Sequence, residues 1–190
     1  MSKLEEVEEG NQKSKIYAKA ALWNERIVVA QDFANAVTYL HKSSIIHRDL
    51  KLTNCGFDAN GKFKLFDFGL ATKLTQEKRI ALDQYKLSGF TGTCRYMAPE
   101  VFQCIPYGKP ADVYSFGLIL WEIMSLERVF QGETVDSLSE KVYGKKNFRP
   151  KIKSKWPSTF KHIIHKCWSA DPSMRPSFVN IDSTLQDCQL

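Results

Sequence analysis

No stretch of this 190-residue chain approaches the roughly 18 uninterrupted apolar residues that a membrane-spanning helix needs, so no span is expected. The opening, MSKLEEVEEGNQKSK, lacks the apolar core of a signal peptide. Close cysteine pairs are missing too. Cys55, Cys94, Cys104, Cys167 and Cys188 form an odd, widely spaced set, which argues against a secreted disulfide scaffold and against a zinc knuckle. A reducing compartment, the cytoplasm or the nucleus, is the expectation. A formal charge of +6 could attract an anion. Yet there is no recognition helix, no metal-ligand spacing and no aromatic–basic stripe, so nucleic acid is not an expected partner. The nearest approach to a basic run, YGKKNFRPKIKSK (143–155), reads as a solvated face. Internal repeats are absent. At 43% hydrophobic and 25% charged residues, the chain has the composition to fold around one real core.

What is present is mostly helical patterning. Residues 1–15 are polar and are expected to form a flexible lead. A helix could begin near Ile16. The stronger case is NERIVVAQDFANAVTYLHKS, where Ile27, Ala30, Phe33, Ala34, Val37, Leu40 and His41 follow one another mostly in steps of three and four. That helix should end near Ser43–Ser44. Two short strands are expected in TNCGF and KFKLF, joined by the turn residues DANG at 58–61. Residues 70–92 are polar and aperiodic, which predicts a long loop. PADVYSFGLILWEIMSL, about 110–126, starts with Pro and is apolar on too many sides for a surface helix, so it should be central and buried. Further helices are expected at roughly 134–142, 157–168 and 176–187. The outline is two tiny strands in a mainly helical α+β domain.

One cluster of residues carries chemistry. IIHRDLKLTN puts a histidine, two cations, an aspartate and an asparagine directly behind two isoleucines at 45–54. Asp49 and Asn54 sit at the mouth of the expected hairpin, and Asp67 follows its second strand. An amide and a carboxylate converging there could bind a hard divalent ion through oxygen. Asp49 could accept or orient a hydroxyl proton, and Lys51 could stabilise a phosphate in transfer. Metal, base and cation around one point are what phosphoryl transfer needs. Taken singly, each residue is as well explained by a turn, because Asp and Asn favour turns for local hydrogen-bonding reasons. Their joint order and spacing favour the site.

These residues resemble the C-terminal lobe of eukaryotic protein kinases, and the resemblance covers about 25–188. HRDLKLTN (47–54) looks like the catalytic loop, with Asp49 the catalytic aspartate and Asn54 a metal ligand. DFG at 67–69 looks like the magnesium-binding triplet, with Asp67 the main ligand. GTCRYMAPE (92–100) looks like the end of the activation segment, which would run 67–100. DVYSFG (112–117) resembles the central-helix signature, and CWSADPSMRPSF (167–178) the late Cys-Trp and Arg-Pro elements. The implied fold is a protein-kinase-like C-lobe over 16–190, with a small β-hairpin carrying the metal-binding residues.

The implied function is transfer of phosphate from ATP with Mg2+ to Ser or Thr of a protein substrate. Asp49, Lys51 and Asn54 would be catalytic, and Lys51, Asn54 and Asp67 would contact nucleotide or metal. Lys51 points to a serine/threonine enzyme, and the CW…DP…RPSF pattern is similar to the tyrosine-kinase-like group. The resemblance also implies that Thr93 contacts Asp49, that Glu100 pairs with Arg175, and that Asp112 holds the catalytic-loop backbone. His47 would stack on Phe68. Arg48 would meet a phosphorylated activation segment, with Ser88 and Thr91 the preferred acceptors, ahead of Thr75 and Tyr85.

The family's glycine-rich loop is not in this sequence: Gly10 is the one glycine before Asn24. An N-terminal lobe would have to come from a longer protein, and without it the 190 residues should be weak or inactive as an enzyme. Apolar residues near Phe57, Leu65 and Phe68 would then face solvent or another protein covering them. A non-catalytic, kinase-like interaction module is the alternative reading.

Overall fold

A computed structural model describes residues 3–144 and 146–188; for 3–22 it describes the helical path alone. The first helix, α1, runs Lys3–Lys42. It therefore starts well before Ile16, and the lead expected over 1–15 continues into it from Lys3. The side chains of that lead lie outside the described residues. From Trp23 onwards the periodicity does what it implies: Ile27, Ala30, Phe33, Ala34 and Val37 are buried, and Val28 and Tyr39 face water. Phe33 packs at 5.4 Å from the Phe63 ring and 5.7 Å from Phe116. Burying one such ring stabilises the fold by roughly 1.5–3 kcal/mol.

β1 (Ile45–Ile46) follows, then β2 (Cys55–Phe57) and β3 (Phe63–Leu65). β2 and β3 pair antiparallel, with Cys55 opposite Leu65 and Phe57 opposite Phe63. The connecting turn is built as its residues require. Asp58 accepts hydrogen bonds from the Asn60 and Lys62 N–H groups, both at 2.9 Å, and Gly61 takes the left-handed φ of 72°. The sheet content exceeds the two strands expected. β1 pairs with β4 (Thr72–Lys73), and β5 (Arg79–Ala81) pairs with β6 (Gln84–Tyr85); β4, β5 and β6 all fall within the stretch read as a loop. Strands of two or three residues are too short to show an alternation, and here the pairing partner decides them.

The rest is helical: α2 (Pro99–Phe102), α3 (Pro110–Ser125), α4 (Val135–Lys141), α5 (Ser158–Cys167) and α6 (Phe178–Gln186). The last four fall where the sequence predicted helices. α3 is the axis of the molecule, buried from Ala111 to Met124. Pro110 opens it and Leu126, left-handed at φ 57°, closes it with its N–H on the Glu122 carbonyl. Gly117 lets α5 cross closely, since a Cβ there would lie 2.7 Å from that of Cys167. Gln31 on α1 reaches the Leu185 carbonyl of α6 at 2.8 Å. The architecture is α+β, mainly helical, with three two-stranded sheets among the described residues.

Candidate active site

The loop after β1 is held from behind by α3. Asp112, at the start of α3 and 1% exposed, accepts the His47 and Arg48 N–H groups on its two oxygens, each at 2.9 Å. Two more groups fix the same loop. Ile46 is wholly buried, and the His47 ring lies 5.2 Å from that of Phe68. His47 Nε2 is 3.1 Å from the Phe66 carbonyl. A carbonyl can only accept, so that nitrogen carries the proton, and Nδ1 turns its lone pair to the Asp49 N–H at 3.4 Å. The apolar pair that precedes the charges is thus the floor on which they stand.

Asp49 is 8% exposed yet fully engaged. Its Oδ1 accepts the Thr93 N–H at 2.7 Å, and its Oδ2 accepts Lys51 Nζ at 2.7 Å and the Asn54 amide at 3.3 Å. Burial pushes the carboxyl's pKa up, but the hydrogen bonds from Lys51 and Thr93 outweigh it and hold the pKa below the ordinary value. Asp49 is therefore an anion at neutral pH, aimed by three donors. Lys51 also donates to the Thr93 hydroxyl at 2.9 Å, bridging the loop and the activation segment. The close approach of that segment depends on Gly92. It has φ 101°, and a Cβ there would fall 2.3 Å from the Arg48 carbonyl oxygen.

The hairpin brings the remaining candidates alongside. The Phe66 N–H bonds the Asn54 carbonyl at 2.7 Å, which makes Asp67 the next residue along. Asn54 gives its amide nitrogen to the Asp49 carbonyl at 2.9 Å, leaving its side-chain oxygen with no donor among the described residues. Asp67 is exposed and sits at φ 55°, a costly conformation for a residue with a Cβ. One amide oxygen and one carboxylate suit a hard cation that takes its other ligands from water and phosphate. No cluster of three or more His, Cys, Asp or Glu that could hold a metal occurs among the described residues.

Around this centre the other expected pairs are present. Glu100 and Arg175 form a buried two-pronged pair at 2.6 and 2.8 Å. Arg48 reaches the Ser88 hydroxyl at 2.8 Å and the Leu70 carbonyl at 2.6 Å. Sequence reasoning missed three contributors. His41 Nε2 lies 2.9 Å from Asp112 Oδ2, so α1 also braces the loop. Tyr107 donates to the Ser88 carbonyl at 2.7 Å. The Tyr96 hydroxyl bonds Glu122 at 3.0 Å, where burial and the neighbouring carboxylate push the phenol far up from its usual pKa. His41 alone left a signal, as a polar residue on the apolar face of its helix.

Comparison with known proteins places this arrangement. The family described as "Protein kinase domain" matches residues 4–186. The chain is 37% identical over 158 residues to serine/threonine/tyrosine-protein kinase HT1 of Arabidopsis thaliana, covering 83% of this chain and 38% of that protein. It is 39% identical over 166 residues to dual specificity protein kinase shkA of Dictyostelium discoideum, covering 85% and 31%. It is 37% identical over 157 residues to serine/threonine-protein kinase STY17 of Arabidopsis thaliana, covering 83% and 26%. The chain thus spans between about a quarter and two fifths of these relatives.

Proposed function

The chain belongs to the protein kinase family, and from that premise we propose that it is the catalytic lower lobe of a serine/threonine-type kinase. In this reading it acts together with a nucleotide-covering lobe whose glycine-rich loop these 190 residues do not contain. The observation that carries the reading is Asp49, an ionised carboxylate aimed by Thr93, Lys51 and Asn54 at one point. Protein kinase domains use ATP and a divalent metal, and Mg2+ is the ion this donor set suits. When bound, Mg-ATP supplies the phosphoryl group and the charge that neutralises it. Asn54 and Asp67 would hold the ion, and Lys51 would meet the phosphate.

Asp49 would orient the acceptor hydroxyl and take its proton as the oxygen attacks. Thr93 keeps the carboxylate in register, and Asp112 keeps the loop from moving away from it. Arg48, already on the Ser88 hydroxyl, is placed to answer a phosphate there with charge-assisted bonds. The substrate would be a protein. Five free cysteines accord with the cytoplasm or nucleus as its compartment. Phe57, Phe66 and Phe68, each about half exposed, would be covered by the upper lobe or another protein.

The test is phosphate incorporation into a mixed Ser/Thr substrate by the longer protein, with Mg-ATP titrated into the 190-residue chain by calorimetry alongside. Transfer that disappears on Asp49→Asn supports the reading; transfer at an unchanged rate in that variant sinks it.

A further inference from the structure

A groove of about 850 Å³ opens beside the catalytic loop. Its lining includes Lys51 and Thr93, two of the three residues that hydrogen-bond the Asp49 carboxylate. From there it runs between α1 and the end of α3. Its walls are apolar: Val29 on one side, Leu52 near the loop, and Ile123 and Leu126 on the other.

The carboxylates in the groove are largely occupied. Glu122 accepts the Tyr96 hydroxyl and, at 2.7 Å, the Val129 N–H. Glu127 pairs with Lys153 at 2.5 Å. Of the cations, Arg26 donates to the Met124 carbonyl at 3.0 Å and lies over the Trp23 ring, and Lys51 serves Asp49. What remains at the rim, Glu25 and Arg128, is one charge of each sign. The charged side chains lining the groove, Glu25, Glu122 and Glu127 against Arg26, Lys51 and Arg128, are three of each sign, so it carries no net formal charge, and it offers aliphatic contact. Leu126 is 71% exposed at its edge, in a left-handed conformation fixed by the helix end. An aliphatic side chain laid against it would be removed from water.

We propose that this groove binds the acceptor polypeptide and selects an aliphatic side chain, Leu, Ile or Val, within about four residues of the acceptor hydroxyl, a span of about 13 Å for an extended segment at about 3.3 Å per residue. The inference rests on the kinase reading for the identity of the occupant. The preference itself comes from Val29, Leu52, Ile123 and Leu126.

The test measures binding apart from transfer. Fluorescent peptides carrying Ala at the acceptor position, with Leu, Arg or Glu scanned through the four positions on either side, are titrated by polarisation against the 190-residue chain. At one position Leu should bind about tenfold or more tighter than Arg or Glu, the scale expected for burying one aliphatic side chain. Leu126→Glu should erase that preference and favour Arg. Val29→Glu, on the opposite wall, should weaken the Leu peptide likewise, and thermal midpoints check that both variants fold. No peptide binding, equal binding of all three sets, or a preference unmoved in both folded variants overturns the proposal. The Ser versions, given with Mg-ATP to the longer protein that carries the nucleotide-covering lobe, separate it from the kinase reading. Preference without phosphorylation supports the groove and counts against transfer; phosphorylation without preference does the reverse.

Discussion

The carboxylates of Asp49 and Asp112 are both buried, and the direction each faces separates their jobs. Asp49 faces the centre. Asn at that position keeps the shape and removes the charge, so phosphate transfer should fall about 10²–10⁴-fold while the melting temperature scarcely moves, as radiolabel transfer and thermal unfolding will register. Asp112 faces inward and is structural. Burial works to raise its pKa, but the bonds from His41, His47 and Arg48 win, and it is held low. A depressed carboxyl contributes stability that is complete above its ordinary pKa of about 4 and is lost as pH falls through the folded value. Wild-type chain should therefore lose more denaturant stability below about pH 4 than Asp112→Asn does. The Glu100–Arg175 pair makes a third case. Glu100→Ala strands a buried guanidinium and should cost about 3–5 kcal/mol in chemical unfolding, much of it restored by adding Arg175→Met. Asp49, Lys51, Asn54 and Asp67 were legible because they sit within short contiguous motifs. His41 was not assigned, because its partner Asp112 lies 71 residues away and no local pattern links the two.

Among the elements, the longer helices announced themselves, apart from the first turns of α1 and the single-turn α2, and most of the strands did not. α3 was legible from an apolar body opened by Pro110, and α5 and α6 from spacing and flanking Pro. β4, β5 and β6 hold two or three residues each, and Tyr85 pairs through its backbone with Tyr107 across the chain. That pairing belongs to the folded neighbourhood rather than to any local alternation. The activation segment reaches the loop only because Gly92 is left-handed and lacks a Cβ. Gly92→Ala should push it off Asp49: the Thr93 amide should exchange its hydrogen markedly faster, and transfer should fall, with the core amides of α3 unchanged. Protection at Thr93 equal to wild type would show that the segment is held by other contacts.

Over the whole molecule, three exposed rings lie on or next to the β2–β3 hairpin. Phe57, Phe66 and Phe68 present half their surface to water on the hairpin side, while α3 lies fully enclosed. The chain should bind an apolar dye such as ANS and scatter light at rising concentration, and Phe57→Lys with Phe66→Lys should reduce both without lowering the unfolding midpoint. The sequence by itself determined most of the helices, the hairpin turn and which residues are candidates for the site, because helix period, turn chemistry and contiguous motifs are local properties. Only the tertiary structure decided that His41 joins Asp112 in bracing the loop, that Tyr107 and Tyr96 support the segment facing it, and that a groove lined by Val29, Leu52, Ile123 and Leu126 lies beside Lys51. Each of these joins residues tens of positions apart, and their distance in space is set by how the helices pack around α3 rather than by their spacing along the chain.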